Sequence, residues 1–156
     1  MGDNDRHLVP DLRPEDTAES IITRLLKKGV EVTPAVEEVM EKEKMPEGLC
    51  FLQEMSLKDI LLKGDRIWPE EIGPAASQFS LEKLPIGLIL PMMEKISEDP
   101  EQMKKLKRVI VFSDQIDMGE KIGFFVVGPN SINVKEIDRD KVYFNENDNM
   151  LFLISE

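Results

Sequence analysis

The sequence predicts an α+β fold, with an N-terminal helical region packed with a small, mainly antiparallel C-terminal sheet. Apolar residues recur at helical spacing in the first half of the chain. From Arg108 onward the apolar runs become short and rich in β-branched or aromatic residues. The connections between those runs, "DQIDMGE", "GPN", "DRD" and "NENDN", are turn sequences too short for crossovers. The 156 residues are expected to divide into a flexible N-terminal arm (1–13), a helical region (14–107) and a small β-rich region (108–156), the last two forming one compact domain.

The first helix is expected from Pro14 to Lys28. Proline suits an opening turn, Glu15 and Asp16 complement its positive end, and Ala18, Ile21, Ile22, Leu25 and Leu26 make one apolar stripe. Gly29 is placed to take the left-handed position after the helix. Thr33-Pro34 opens a second helix reaching about residue 44, with Ala35, Val36, Val39 and Met40 on its apolar face. "LCFLQ" reads as a short strand or an extended link. Ser56, with Asp59 three residues on, has capping-box spacing, so "LKDILLK" reads as a short helix ended by Gly64. "GDRIWPEEIGPAASQFS" reads as loop-rich. Ser80 is a candidate cap for a helix that Pro85 and Pro91 interrupt or kink, with "PMMEKI" continuing helically. Asp99-Pro100 opens "PEQMKKLKR". Strands are expected in "RVIVFS", "KIGFFVVG", "SINVKEI", "KVYF" and "MLFLIS".

Two stretches 35 residues apart carry the same punctuation: "LLKKGVEVTP" (Leu25 to Pro34) and "ILLKGDRIWP" (Ile60 to Pro69). Lys28/Lys63, Gly29/Gly64 and Pro34/Pro69 are identical pairs, and Val32/Ile67 is a similar one. A true repeat and two independently punctuated helices both account for this, since glycine stops and proline starts are general. A true repeat predicts that Val32 and Ile67 are both buried.

The segment "ITRLLKKGVEVTPAVEEVMEKEK" (Ile22 to Lys44) resembles the helix–Gly–x–x–Val/Ile–Thr–helix unit in the N-terminal domains of type II secretion and type IV pilus assembly ATPases. In that family the unit often occurs in tandem ahead of a small α/β region. Nucleotide-binding versions open with Arg-Leu-Gly, whereas Leu26 stands here where glycine is wanted, and the chain has no Walker motif. What the resemblance implies is therefore a docking module without ATPase activity.

Charge narrows the partners. The net charge is −11, spread as 17 acids against 10 bases in residues 1–80 and 14 against 10 in residues 81–156. Such a field repels nucleic acid and anionic lipid, and it suits either plain solubility or a basic protein surface. The longest apolar run, Leu84 to Met93, is about half a membrane span and holds two prolines, so no direct membrane insertion is expected. Arg6 stands where a myristoylation motif would want Ser or Thr. Cys50 is the only cysteine, which implies a reducing, cytoplasmic setting, and its apolar neighbours mark it as buried filler.

No catalytic or cofactor-binding constellation stands out. His7 is the only histidine, so neither a histidine-based dyad nor a zinc ligand set is expected. "NENDNM" alternates oxygen-bearing residues but lacks the glycine and terminal glutamate of a calcium loop, and reads as a hairpin turn. The leading expectation is a cytoplasmic, non-enzymatic docking or adaptor module. An acidic inhibitor of a basic enzyme is the second reading. A small metal-dependent enzyme using Asp114, Asp117 and Glu120 is the third. The partner-binding residues expected are Trp68, beside Glu70 and Glu71 as an acidic rim, and the adaptable pair Met92 and Met93. For Trp68 the alternative is a core position, and for the methionines it is ordinary core packing.

Overall fold

The runs after Arg108 do become strands, but strands from the first half of the chain join the same sheet. The computed structural model describes residues 6–9, 17–43 and 50–154. Among these are β1 (Arg6–Val9), α1 (Ala18–Lys27), β2 (Glu31–Val32), α2 (Pro34–Met40), β3 (Cys50–Ser56), α3 (Pro69–Ser77), β4 (Leu81–Glu82), α4 (Ile89–Ser97) and α5 (Pro100–Lys105). They continue with β5 (Val109–Val111), β6 (Ile116–Met118), β7 (Lys121–Val127), β8 (Ser131–Asp138) and β9 (Asn149–Ile154). The fold is α+β. The sheet is nine-stranded, in the order β1-β3-β9-β5-β7-β8-β2, with β4 added on β9 and β6 on β7.

Two expectations need correcting here. The sheet is mixed rather than small and antiparallel, because β2 runs parallel to β8 and β5 parallel to β9. The helices also alternate with strands through residues 18–105 instead of preceding the sheet, so residues 14–107 are not a separate helical region. Four residues of the N-terminal arm, Arg6–Val9, pair antiparallel with β3. Residues 1–5 and 10–16, including the expected helix start at Pro14, lie outside the described residues; the second helix stops at Met40, short of the expected end at residue 44.

Period-2 alternation splits the apolar residues between the two faces of the sheet. Along β9, Leu151 and Leu153 join one core, while Met150, Phe152 and Ile154 join the other. The first core is covered by α1, α2 and α4 through Ile21, Leu25, Val36, Met40, Ile89 and Ile96. The second is covered by α3 and a 3-10 turn, Leu57–Ile60, through Ile72, Ala76, Leu57 and Ile60. Each of these side chains larger than alanine, fully buried, stabilises the fold by about 1.5–3 kcal/mol.

Local chemistry explains where helices start and stop. Thr17 caps α1 by accepting the Ser20 N–H at 3.1 Å, while the Ser20 hydroxyl oxygen accepts the Thr17 N–H at 2.9 Å. Gly29 ends this helix at φ +84°, and Val30 N–H returns to the Leu25 carbonyl at 2.9 Å. Thr33 and Ser56 do occupy cap positions, yet neither side chain makes a capping bond, and both hydroxyls are buried without a partner among the described residues. "LKDILLK" is a single 3-10 turn, and Leu61 (φ +69°) ends it before Gly64 is reached.

The segment expected to be loop holds α3. Pro69 opens it at a position with no intrahelical donor to lose, and Pro74 forfeits one helical bond inside it. Ile72 and Ala76, four residues apart, bury completely on the second core and outweigh that loss. Ser80 takes φ +60° and leads into β4 rather than capping a helix. Pro91 does not interrupt α4, because it sits in the opening turn, where proline is tolerated. "KVYF" forms only an isolated bridge, Phe144 to Ile67, and the expected turn "DQIDMGE" contains β6.

The two punctuated stretches are alike in conformation. Gly29 and Gly64 both have positive φ, Thr33 and Trp68 are both extended cap residues, and Pro34 and Pro69 both open helices. Ile67 is buried and Val32 half-buried, while Leu26 and Leu61 are both exposed, at 63% and 69%. Their pairings differ: Val32 lies parallel to β8, whereas Ile67 bridges antiparallel to Phe144.

Candidate functional site

The sheet splits beyond β5. Ile110 faces Val126 on β7, and Ile116 faces Gly123. Six residue steps on one side therefore span three on the other, and three extra residues must leave the sheet. This is an enlarged β-bulge. On the opposite flank, β9 pairs with β5 up to Leu151 and then with β4 from Leu153. Phe112 is the last residue held, its N–H donating to Leu151 O at 3.0 Å and its carbonyl accepting from Leu84 N–H at 2.8 Å. The peptide groups of Ser113 to Gln115 take no main-chain partner among the described residues.

The split opens a cavity of about 360 Å³ on the second-core face. Its walls are apolar: Ile72, Val111, Phe112, Phe124, Phe144 and Met150. Its polar groups are few. Ser113 is 3% exposed, and its hydroxyl makes a long 3.3 Å bond to the Asp114 carbonyl. Lys83 donates to Asp114 Oδ1 at 2.9 Å in an exposed ion pair. Glu70, from the first turn of α3, completes the polar lining with Gln115. An apolar recess with a few polar groups is the usual form of a binding site, and this volume lies near the lower end of the ligand-pocket range.

Trp68 stands beside this cavity, immediately before the lining residues Pro69 and Glu70. It is 37% exposed and packs edge-on against Tyr143, with ring centroids 5.4 Å apart at 71°. The Arg66 guanidinium lies 5.4 Å from the Tyr143 ring centre. Glu71 is not a free rim acid: its Oε2 accepts the Trp68 N–H at 2.8 Å and so caps α3. Glu70 keeps the rim position expected of it.

Met92 and Met93 are corrected outright. Both are fully buried in the first core, on the other face of the sheet. The structure thus brings together Trp68, Glu70 and Glu71, and separates the methionines from them.

Two of the three acids of the enzyme reading, Asp114 and Asp117, are engaged locally. Asp114 pairs with Lys83. Asp117 pairs with Arg139 and accepts the Gly119 N–H at 3.0 Å, while Arg139 Nε also donates to Gly119 O at 2.7 Å. Among the described residues no three histidines, cysteines or carboxylates converge as a metal site would require. "NENDNM" is a turn held by its own side chains, with Asn145 N–H donating to Asp148 Oδ2 and Asn147 N–H to Asn145 Oδ1, both at 2.8 Å. No described helix is long and apolar enough to cross a membrane.

The cavity residues that sequence reading missed come from α3, β5, β7, β9 and the Ile67–Phe144 bridge. Phe112, Phe124, Phe144 and Tyr143 each read as ordinary strand residues, and only the bulge gathers the phenylalanines. The one local signal was the interruption of apolar alternation at Ser113-Asp114-Gln115. No known protein family, curated protein or solved structure matches the chain.

Proposed function

We propose that the protein is a non-enzymatic docking module whose partner is a protein with a basic surface. The observation that carries this is the half-exposed Trp68–Tyr143 pair standing beside an apolar cavity with Glu70 on its rim, in a chain of net charge −11. Long-range attraction from the acidic field would speed the encounter, and the desolvated aromatic would supply the affinity. The resemblance of Ile22–Lys44 to docking domains of secretion ATPases points the same way. The single cysteine supports a cytoplasmic setting for it.

Selection of binders from a random peptide library tests the reading. The selected peptides should carry net positive charge and lose affinity as salt rises. Trp68→Ala should weaken them by about 2 kcal/mol, roughly thirtyfold. Selected peptides without basic residues, or equal binding to the Trp68→Ala variant, would refute it.

A further inference from the structure

We infer that the cavity at the sheet split receives one aromatic side chain of an extended partner segment, whose neighbouring Lys or Arg reaches Glu70. This rests on the docking reading and specifies what the partner must carry.

Size and polarity define the guest. The cavity volume of about 360 Å³ is more than twice the ~150 Å³ that holds a benzene molecule, so one aromatic ring fits with room for its attached backbone. Its walls are three phenylalanines, an isoleucine, a valine and a methionine. Water against such walls has few partners, and an aromatic ring displaces it.

Backbone and charge define the guest's surroundings. Ser113 to Gln115 lines the cavity with peptide groups that have no main-chain partner among the described residues. Such groups accept pairing by another extended chain, as sheet edges do. The ionised side chains lining the cavity are Glu70, Asp114 and Lys83, and the last two neutralise one another. Glu70 is the carboxylate left over, so the mouth carries net negative charge and favours a cation next to the ring. An acidic guest would meet Glu70 and the field of the whole chain.

The test uses three blocked pentapeptides: Lys-Lys-Phe-Lys-Lys, Lys-Lys-Ala-Lys-Lys and Glu-Glu-Phe-Glu-Glu. Amide NMR shifts of the full chain are followed at Ser113, Asp114, Gln115 and Phe124, together with the Trp68 indole. The first peptide should move the cavity amides and the indole, and the other two should bind about tenfold more weakly or worse. Glu70→Gln, on an exposed side chain, should weaken the first peptide several-fold without altering the fold. Movement of the Trp68 indole alone would overturn the cavity assignment and leave the docking reading standing. Silence at both places at millimolar peptide would overturn both. Equal binding of the phenylalanine and alanine peptides would likewise overturn the cavity assignment.

Discussion

Gly123→Ala tests the strand register from which the cavity arises. Gly123 lies on β7 opposite Ile116 of β6 and Glu136 of β8, on the face that holds Phe125 and Val127. An added Cβ would lie 2.7 Å from Val134 Cγ1, 2.8 Å from Met118 Sδ and 3.4 Å from Ile116 Cβ. Carbon atoms prefer about 3.5–4.0 Å, so two of these contacts overlap by the better part of an ångström. Met118 is unbranched and swings aside at little cost. Val134 is β-branched, stiff at χ1 and half-buried on β8, and it yields only if the strand moves. Overpacking of this kind costs about 1–3 kcal/mol. Alanine also lowers the entropy of the unfolded chain, which returns about 0.4–1 kcal/mol. The net expectation is a loss of about 1–2 kcal/mol, read as a lower urea midpoint with unchanged slope. Val134→Ala in the same chain removes the offending methyls, so the double variant should lose less than the sum of the singles, with a coupling of about 1 kcal/mol. A Gly123→Ala protein as stable as the parent would mean that Val134 does not lean over this position. The β6–β7–β8 register, and the three-residue excess that opens the cavity, would then be wrong.

Further predictions concern the helical layer and the turn beside α3. Arg24 grips Glu94 through Nε and through a second bond at 2.9 Å, tying α1 to α4 with the two side chains 37% and 16% exposed. Half of that pair is solvated, so a double-mutant cycle with alanine should give a coupling of about 1 kcal/mol that shrinks in high salt; zero coupling at low salt would discard the tie. Thr17→Ala removes the α1 cap and should cost about 1 kcal/mol in thermal unfolding, with Thr17→Ser near neutral; equal losses would show that the hydroxyl is not the cap. Leu61→Gly should hold or slightly raise the melting temperature. Leucine is 69% exposed there and pays a left-handed penalty of ~1–2 kcal/mol that glycine avoids, so a clear drop would mean that Leu61 makes a contact the exposure does not suggest.

Much of the local structure was legible in the residues themselves. The stripe from Ala18 to Leu25, the stop at Gly29, the start at Pro34 and four of the five strands expected after Arg108 all follow from short-range periodicity and turn chemistry. Trp68 and Glu70 were legible as candidates because a lone tryptophan and a rim acid stand out by type. Three things were not legible. Helix α3 survives Pro74 because Ile72 and Ala76 bury in the second core, which β7 and β9 help to build. Met92 and Met93 are inaccessible because the face of α4 they occupy is the one laid on the sheet. The cavity exists because β5 and β6 meet β7 in registers three residues apart, while β9 turns to β4. Each depends on pairings between residues far apart in sequence, whose energy exceeds the local preferences by which a single segment is read. Sequence alone therefore determined the elements, the acidity and the lone aromatic. Tertiary pairing decided which apolar residues close into a core and which of those core residues also border a cavity.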